Sequence, residues 1–282
     1  MPDESTRLAV LIDADNTSAK LIKEMFEELA AYGTITVKRA YGDWTNPHLN
    51  GWREVLLGNA ISPQQQFAYT YGKNATDSAL IIDAMDLLYS GNVEGFAIVS
   101  SDSDFTPLAT RLRESGKRVI GVGQRMTPKA FVEACERFVF LEVLAGDGGD
   151  GGASEREKDD QPRPIQSVVT KALNKVDSDD EDWASLNAIG NHLNRTDPSF
   201  DPRNYGFGKL SDLVKAQPFV ETKTVTGPGG RGQLWVRLKG RRPVEGTPVK
   251  AAVKKATKKA TGTKAVKTAR KATKAPDADG RG

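Results

Sequence analysis

Leu8-Ala9-Val10-Leu11-Ile12-Asp13-Ala14-Asp15-Asn16 opens the structured part of this 282-residue chain, and it says most about the fold. Five apolar residues run without a polar interruption, the pattern of a strand covered on both faces. Two aspartates follow at once, where the strand hands over to a loop. From there the chain alternates. A helical stripe over Thr17–Ala31 ends before Gly33, and Thr34–Tyr41 reads as a strand. Pro47–Leu57 reads as a helix, Gln66–Tyr71 as a strand and Ala75–Tyr89 as a helix. Gly95–Ser100 is a strand, Phe105–Ser115 a helix and Arg118–Val122 a strand, and Thr127–Glu133 and Phe138–Leu141 close the pattern. Such alternation predicts an α/β fold, a parallel sheet with helices on both faces.

Composition limits the chemistry. A single cysteine forbids an internal disulfide, and two histidines leave no Cys/His zinc cluster, so any metal has to be held by carboxylates. Cys135 reads as a core residue, and His48 and His192 as isolated surface or loop residues. Gly121-Val122-Gly123 reads as a strand-to-loop turn without a phosphate-binding fingerprint. The acidic, polar start and the lack of a long apolar run predict a cytoplasmic protein with no membrane segment.

The carboxylates are placed where a parallel sheet gathers ligands, beyond the carboxyl ends of its strands. Asp13 and Asp15 follow the first strand, and Asp102 and Asp104 follow the strand ending near Ser100. Asp77 opens a helix in register with Leu80, Ile81, Ala84 and Leu88, which brings it to the sheet edge. Asp83 lies about 240° further round that helix at 100° per residue, so it ranks lower. Carboxylates that converge raise each other's pKa unless a cation neutralises them, and an all-Asp site suits Mg²⁺ or Mn²⁺. Asp15, Thr17 and Asp104 also read as helix N-caps.

Leu11-Ile12-Asp13-Ala14-Asp15-Asn16, Lys73-Asn74-Ala75-Thr76-Asp77, Ile82-Asp83-Ala84 and Val99-Ser100-Ser101-Asp102-Ser103-Asp104-Phe105 resemble the motifs of the NYN (LabA-like) domain of the PIN-fold nucleases. The resemblance covers residues 6–143. It implies a PIN-like, Rossmann-like sheet and a ribonuclease-type Mg²⁺/Mn²⁺ cluster. Carried over residue by residue, the metal-binding and catalytic acids are Asp13, Asp77, Asp102 and Asp104. Asn16 positions the cluster, with Ser100, Asp15 and Asp83 in support. Ser101 stands where the family often has glycine.

Residues 144–164 form an acidic, Gly-rich linker, which predicts that the flanking domains move independently. Ile165–Leu173, Leu186–Leu193 and Lys209–Lys215 read as helices, and Phe219–Thr224 and Gln233–Leu238 as a two-stranded wing. Trp183, Ile189-Gly190, Phe200-Asp201-Pro202, Tyr205-Gly206, Pro218-Phe219 and Trp235 make residues 165–238 resemble an OST-HTH (LOTUS) domain, a winged-helix-like module of RNA proteins. Trp183 and Tyr205 are expected to be buried rather than to stack on bases.

Residues 239–282 hold 14 basic and 3 acidic residues, a net charge of +11 against −8 for the rest. Their Lys/Ala-rich composition predicts a disordered tail. Lys254, Lys255, Lys258 and Lys259 are its candidate contacts to RNA, and also to DNA, through phosphate neutralisation. The function expected is a metal-dependent ribonuclease. The alternatives are an RNA-binding adaptor on an inactive PIN fold, and a haloacid-dehalogenase-type phosphatase with Asp13 as nucleophile and Asp15 as general acid. The oligomeric state is not legible.

Overall fold

The computed structural model describes residues 6–67, 75–146, 163–179, 181–226 and 232–240. In chain order the first domain comprises β1 (Arg7–Asp13), α1 (Ile22–Leu29), β2 (Thr34–Gly42), α2 (Trp52–Gly58), β3 (Ser62–Gln65) and α3 (Ala75–Ser90). It continues with β4 (Gly95–Val99), α4 (Thr106–Glu114), β5 (Arg118–Gly123), α5 (Lys129–Ala134), β6 (Arg137–Phe140) and α6 (Leu141–Leu144). The six strands form one sheet in the order β3-β2-β1-β4-β5-β6, every pairing parallel.

The uninterrupted apolar run of β1 is explained by this position. Leu8, Val10 and Ile12 pack on one face with Ile22, Met25 and Leu29, whereas Ala9 and Leu11 pack on the other with Leu80, Ala84 and Leu108. All five residues are fully buried. A strand that alternates between two cores needs apolar side chains at every position.

Several expectations for the first domain are corrected, and the helix expected over Pro47–Leu57 is a 3₁₀ turn, Pro47–Gly51, followed by α2. The helix expected over Thr17–Ala31 is broken into a 3₁₀ turn, Ala19–Leu21, and α1. Ser18 caps that turn by accepting from Lys20 N (3.4 Å), and Thr17 Oγ1 donates to the Val99 carbonyl (3.4 Å), so the first residues are tied to the sheet instead. The strand expected over Gln66–Tyr71 is not formed at Gln66 and Phe67, and the rest of it lies outside the described residues; the paired segment is β3. This edge strand contains Pro63, which edges tolerate, and has no apolar alternation to reveal it. Gly121 and Gly123 are not a turn but strand residues of β5, where a Cβ on Gly121 would fall 2.3 Å from Phe138 Cδ2.

The second domain comprises α7 (Ile165–Leu173), β7 (Ala184–Ser185), α8 (Leu186–Thr196), α9 (Leu210–Lys215), β8 (Val220–Thr226) and β9 (Gly232–Leu238). The expected two-stranded wing is a three-stranded sheet, because the short β7 pairs antiparallel with β9. Trp183 is buried as expected, with Lys223 Nζ 4.3 Å and the Arg237 guanidinium 4.6 Å from its ring centre.

The described residues of both domains fall within one compact unit, and polar contacts join the two domains. Arg203 donates from both terminal nitrogens to Glu28 (2.9 and 3.0 Å) and also pairs with Asp201, which lies 3.5 Å from Arg137. Phe138 N, on the outer edge of β6, donates to the Pro198 carbonyl (2.8 Å). An edge strand leaves main-chain donors unpaired, and here a loop of the second domain takes one of them. The central part of the linker and the Lys254, Lys255, Lys258 and Lys259 tail lie outside the described residues.

Candidate active site

The strand order reverses between β1 and β4, and successive helices leave to opposite faces there. A crevice opens beyond the carboxyl ends of the two strands, the usual ligand position in such sheets. Asp13 is the last residue of β1, and Asp102 and Asp104 follow β4. α3 delivers Asp77 from its first turn, on the same buried stripe as Leu80, Ala84 and Leu88.

Hydrogen bonds fix these side chains. Asp13 is fully buried, and its Oδ2 accepts from Asn16 Nδ2 (2.9 Å) and Ser100 Oγ (2.8 Å). Its Oδ1 accepts from Asn16 N (3.3 Å). Ser100 Oγ also accepts from Asp102 N (3.1 Å), so one hydroxyl ties the end of β1 to the loop after β4. Asp102 Oδ1 accepts from Asp104 N (2.8 Å), which sets its rotamer and starts a 3₁₀ turn. The N-cap reading therefore holds for Asp102 rather than Asp104.

One carboxylate oxygen from each of Asp77, Asp102 and Asp104 lies within 4.8 Å of the others. Among the described residues this is the one group of three or more acidic, His or Cys side chains close enough to share an ion. Burial, and then the charges of Asp13, Asp102, Asp104 and Asp15, push the Asp77 carboxyl up to about 6. Burial also raises Asp13, against the lowering effect of its bonds from Asn16 and Ser100. Asp77, held at such cost to its charged form beside Asp102 and Asp104, completes a set of hard oxygen donors, which fits a small divalent cation.

The structure separates the expected residues. Asp77, Asp102 and Asp104 converge, and Asp13 stands close enough to perturb Asp77, behind them, with Asn16 and Ser100 holding it. Asp15 is exposed at the rim and accepts from Thr76 Oγ1 (2.8 Å). Asp83 is not brought to the cluster: it pairs with Arg39 and accepts from the Tyr41 hydroxyl, which pins α3 to β2. Thr76 is the site residue that sequence reasoning misses, although its place one residue before Asp77 is a signal.

A family model described as the NYN domain matches residues 7–142, and one described as the OST-HTH/LOTUS domain matches residues 160–231. The chain is an NYN domain followed by an OST-HTH domain. The pair unites a nuclease-type domain, its acidic cluster in place, with a domain of the RNA-binding type. An uncharacterized protein of Methanocaldococcus jannaschii is 30% identical over 121 residues, 42% of this chain and 47% of that protein. The chain thus spans about half the length of the curated relative it matches.

Among solved structures, a Vibrio parahaemolyticus protein of unknown function is 20% identical and covers 50% of this chain and 96% of its own, with a TM-score of 0.41. A structure of residues 175–257 of a Chromobacterium violaceum protein is 38% identical, covering 28% of this chain and 85% of its own, with a TM-score of 0.24. Among the described residues, no helix is long and apolar enough to cross a membrane.

Proposed function

We propose that the NYN–OST-HTH chain is a Mg²⁺- or Mn²⁺-dependent ribonuclease that hydrolyses RNA phosphodiester bonds in the cytoplasm. The observation that carries this reading is the convergence of Asp77, Asp102 and Asp104 at the strand crossover, backed by the buried Asp13. Asp77, Asp102 and Asp104 would hold the ion, with Asp13 completing the negative field behind them. When bound, the ion supplies an activated water and stabilises charge on the scissile phosphate.

The chain's own residues prepare the place. Asn16 and Ser100 hold the Asp13 carboxylate in one orientation, and the Asp104 amide holds Asp102. Thr76 keeps Asp15 at the mouth, where it borders a separate hollow of about 480 Å³ with Lys20 and His48 in its wall. A phosphatase using Asp13 as nucleophile is disfavoured, because that carboxylate is fully buried and occupied by Asn16 and Ser100.

Turnover of single-stranded and structured RNAs, with and without Mg²⁺, tests the reading. Cleavage is expected with the metal, none in chelator, and none from the Asp13→Asn protein. Metal-independent cleavage, or full activity in that variant, would contradict it. An RNA-binding adaptor would instead retain the RNA uncut under every condition.

The catalytic domain is acidic, with 14 basic and 19 acidic residues over 1–144, so the +11 segment from 239 onward is expected to supply much of the non-specific affinity. Deleting residues 239–282 should raise KM and flatten the salt dependence of RNA binding, by about 0.7 in slope for each single-strand phosphate that is no longer neutralised. kcat at saturating RNA should persist, because uniform binding is expressed in KM. Unchanged affinity and slope would move RNA recognition onto the folded domains.

A further inference from the structure

Behind the sheet, at the opposite end of its strands from the acids, the two domains enclose a cleft of about 680 Å³. Its walls come from the end of α4, the starts of β5 and β6, and the outward face of α8. Four arginines line it: Arg113, Arg118 and Arg137 from the NYN domain, and Arg195 from the OST-HTH domain.

The ion pairs of this region leave a specific remainder. Arg118 is matched by Glu136 (3.3 Å), and Arg137 by Asp201 (3.5 Å). Glu133, the other acid in the wall, is taken by Arg163 (3.7 Å). Among the described residues, Arg113 donates only to the carbonyls of Ala134 and Cys135 (3.4 and 3.2 Å), and Arg195 only to the Asn191 carbonyl (3.3 Å). Neither has a carboxylate partner among the described residues. Each guanidinium carries five N–H donors in a fork suited to phosphate, and among the described residues most of these are uncommitted. Asn191 stands one helical turn from Arg195 and adds an amide that can donate and accept.

We propose that this cleft is an exosite for the phosphodiester backbone of RNA, with Arg113 and Arg195 gripping it from the two domains. The identity of the ligand as RNA rests on the ribonuclease reading above; the anion site itself rests on the cleft and its unmatched guanidiniums. The Glu28–Arg203–Asp201 bridge and the Phe138–Pro198 bond hold the domains at the spacing that makes the cleft. The six residues of β5, about 20 Å at 3.3 Å per residue, separate the cleft from the acids. The exosite therefore holds substrate away from the reacting phosphate.

The test uses the full chain in chelator, so that no RNA is cut, with a fluorescein-labelled single-stranded 20-mer. The Arg113→Gln/Arg195→Gln protein is compared with the parent and with Lys23→Gln/Lys171→Gln, which loses the same charge outside the cleft. The cleft variant is expected to bind about tenfold more weakly, with a salt slope lower by about 1.4 for two single-strand phosphates, while the control stays within twofold of the parent.

Equal affinity and slope in the cleft variant, or equal losses in both variants, would overturn the exosite. Should the cleft variant lose its fold, 4-thiouridine crosslinking of the unmodified protein decides: adducts on 113–118 or 191–198 support the site, and adducts confined to other segments overturn it. Because no step requires cleavage, the exosite can fail with the nuclease intact, and the nuclease can fail with the exosite intact. In the cleavage assay the cleft variant should raise KM and leave kcat unchanged.

Discussion

Replacing Asp77 by asparagine is expected to abolish cleavage and to stabilise the metal-free protein at the same time. The loss of activity should reach about 10³-fold or more if Asp77 holds the ion as proposed, since such a ligand supports several kcal/mol of transition-state stabilisation and each 1.36 kcal/mol is tenfold. The gain in stability follows from the site's own repulsion. Burial and four neighbouring carboxylates raise Asp77 to about 6, from an ordinary value near 3.8. A carboxyl raised on folding contributes stability that is complete below the unfolded value and lost as pH rises through the folded one.

The wild-type chain should therefore lose stability between about pH 4 and pH 6, and the asparagine variant should not lose this part. Above pH 7 in chelator the variant should be more stable by roughly 1–3 kcal/mol, a rise in Tm of a few degrees, and the difference should vanish near pH 4. Adding Mg²⁺ should raise the wild-type Tm and move the variant's far less, because binding to the native state alone stabilises by mass action. Melting curves in chelator and in Mg²⁺ read both effects. A variant as active as the parent, or one destabilised in chelator at pH 7.5, would show that Asp77 neither holds the ion nor suffers the charge of its neighbours.

Gly121→Ala is expected to be among the most destabilising methyl additions in the NYN domain. The new Cβ would fall 2.3 and 2.5 Å from Phe138 Cδ2 and Cε2, and 2.8 Å from Cys135 Sγ. The Phe138 ring has nowhere to go: Phe131 meets it edge-on with centres 5.8 Å apart, and Phe140 stands at 5.3 Å. Overpacking of a filled core costs about 1–3 kcal/mol, occasionally more, and this site belongs at the upper end. A Tm decrease of about 10 °C is the corresponding scale for a domain of this size. Phe138→Leu, which removes the far part of the ring, should cost less in the Gly121→Ala background than in the parent, a coupling that a double-mutant cycle measures. Additive losses would mean that the ring is not the obstacle.

These two sites mark how far sequence patterns reach. The run from Leu8 to Ile12 and the acids at its end are local signals, so both the sheet and most of the acidic cluster are legible. The buried stripe of α3 places Asp77 correctly. It cannot show that Asp83 is drawn to Arg39 and Tyr41 on β2, since that choice depends on which strand lies under the helix. β3 is hidden because Ser62-Pro63-Gln64-Gln65, at the sheet's edge, has little apolar surface to bury. Gly121 reads as a turn because a glycine's neighbour across the sheet, Phe138, is invisible along the chain. The Glu28–Arg203 bridge joins residues 175 apart, and no linker composition announces it.

The bond from Phe138 N to the Pro198 carbonyl has a consequence for handling shortened forms. A chain cut after residue 146 would present the outer rim of β6 bare, with an amide pointing outward and the aromatic Phe140 only half covered. Such a rim is a template on which a second molecule can lay its own strand, by edge-to-edge addition or by exchange of a segment. The isolated NYN half should thus elute larger as its concentration rises, while the two-domain form keeps its size. The OST-HTH domain would then act as a stopper against self-assembly, whatever nucleic acid it holds.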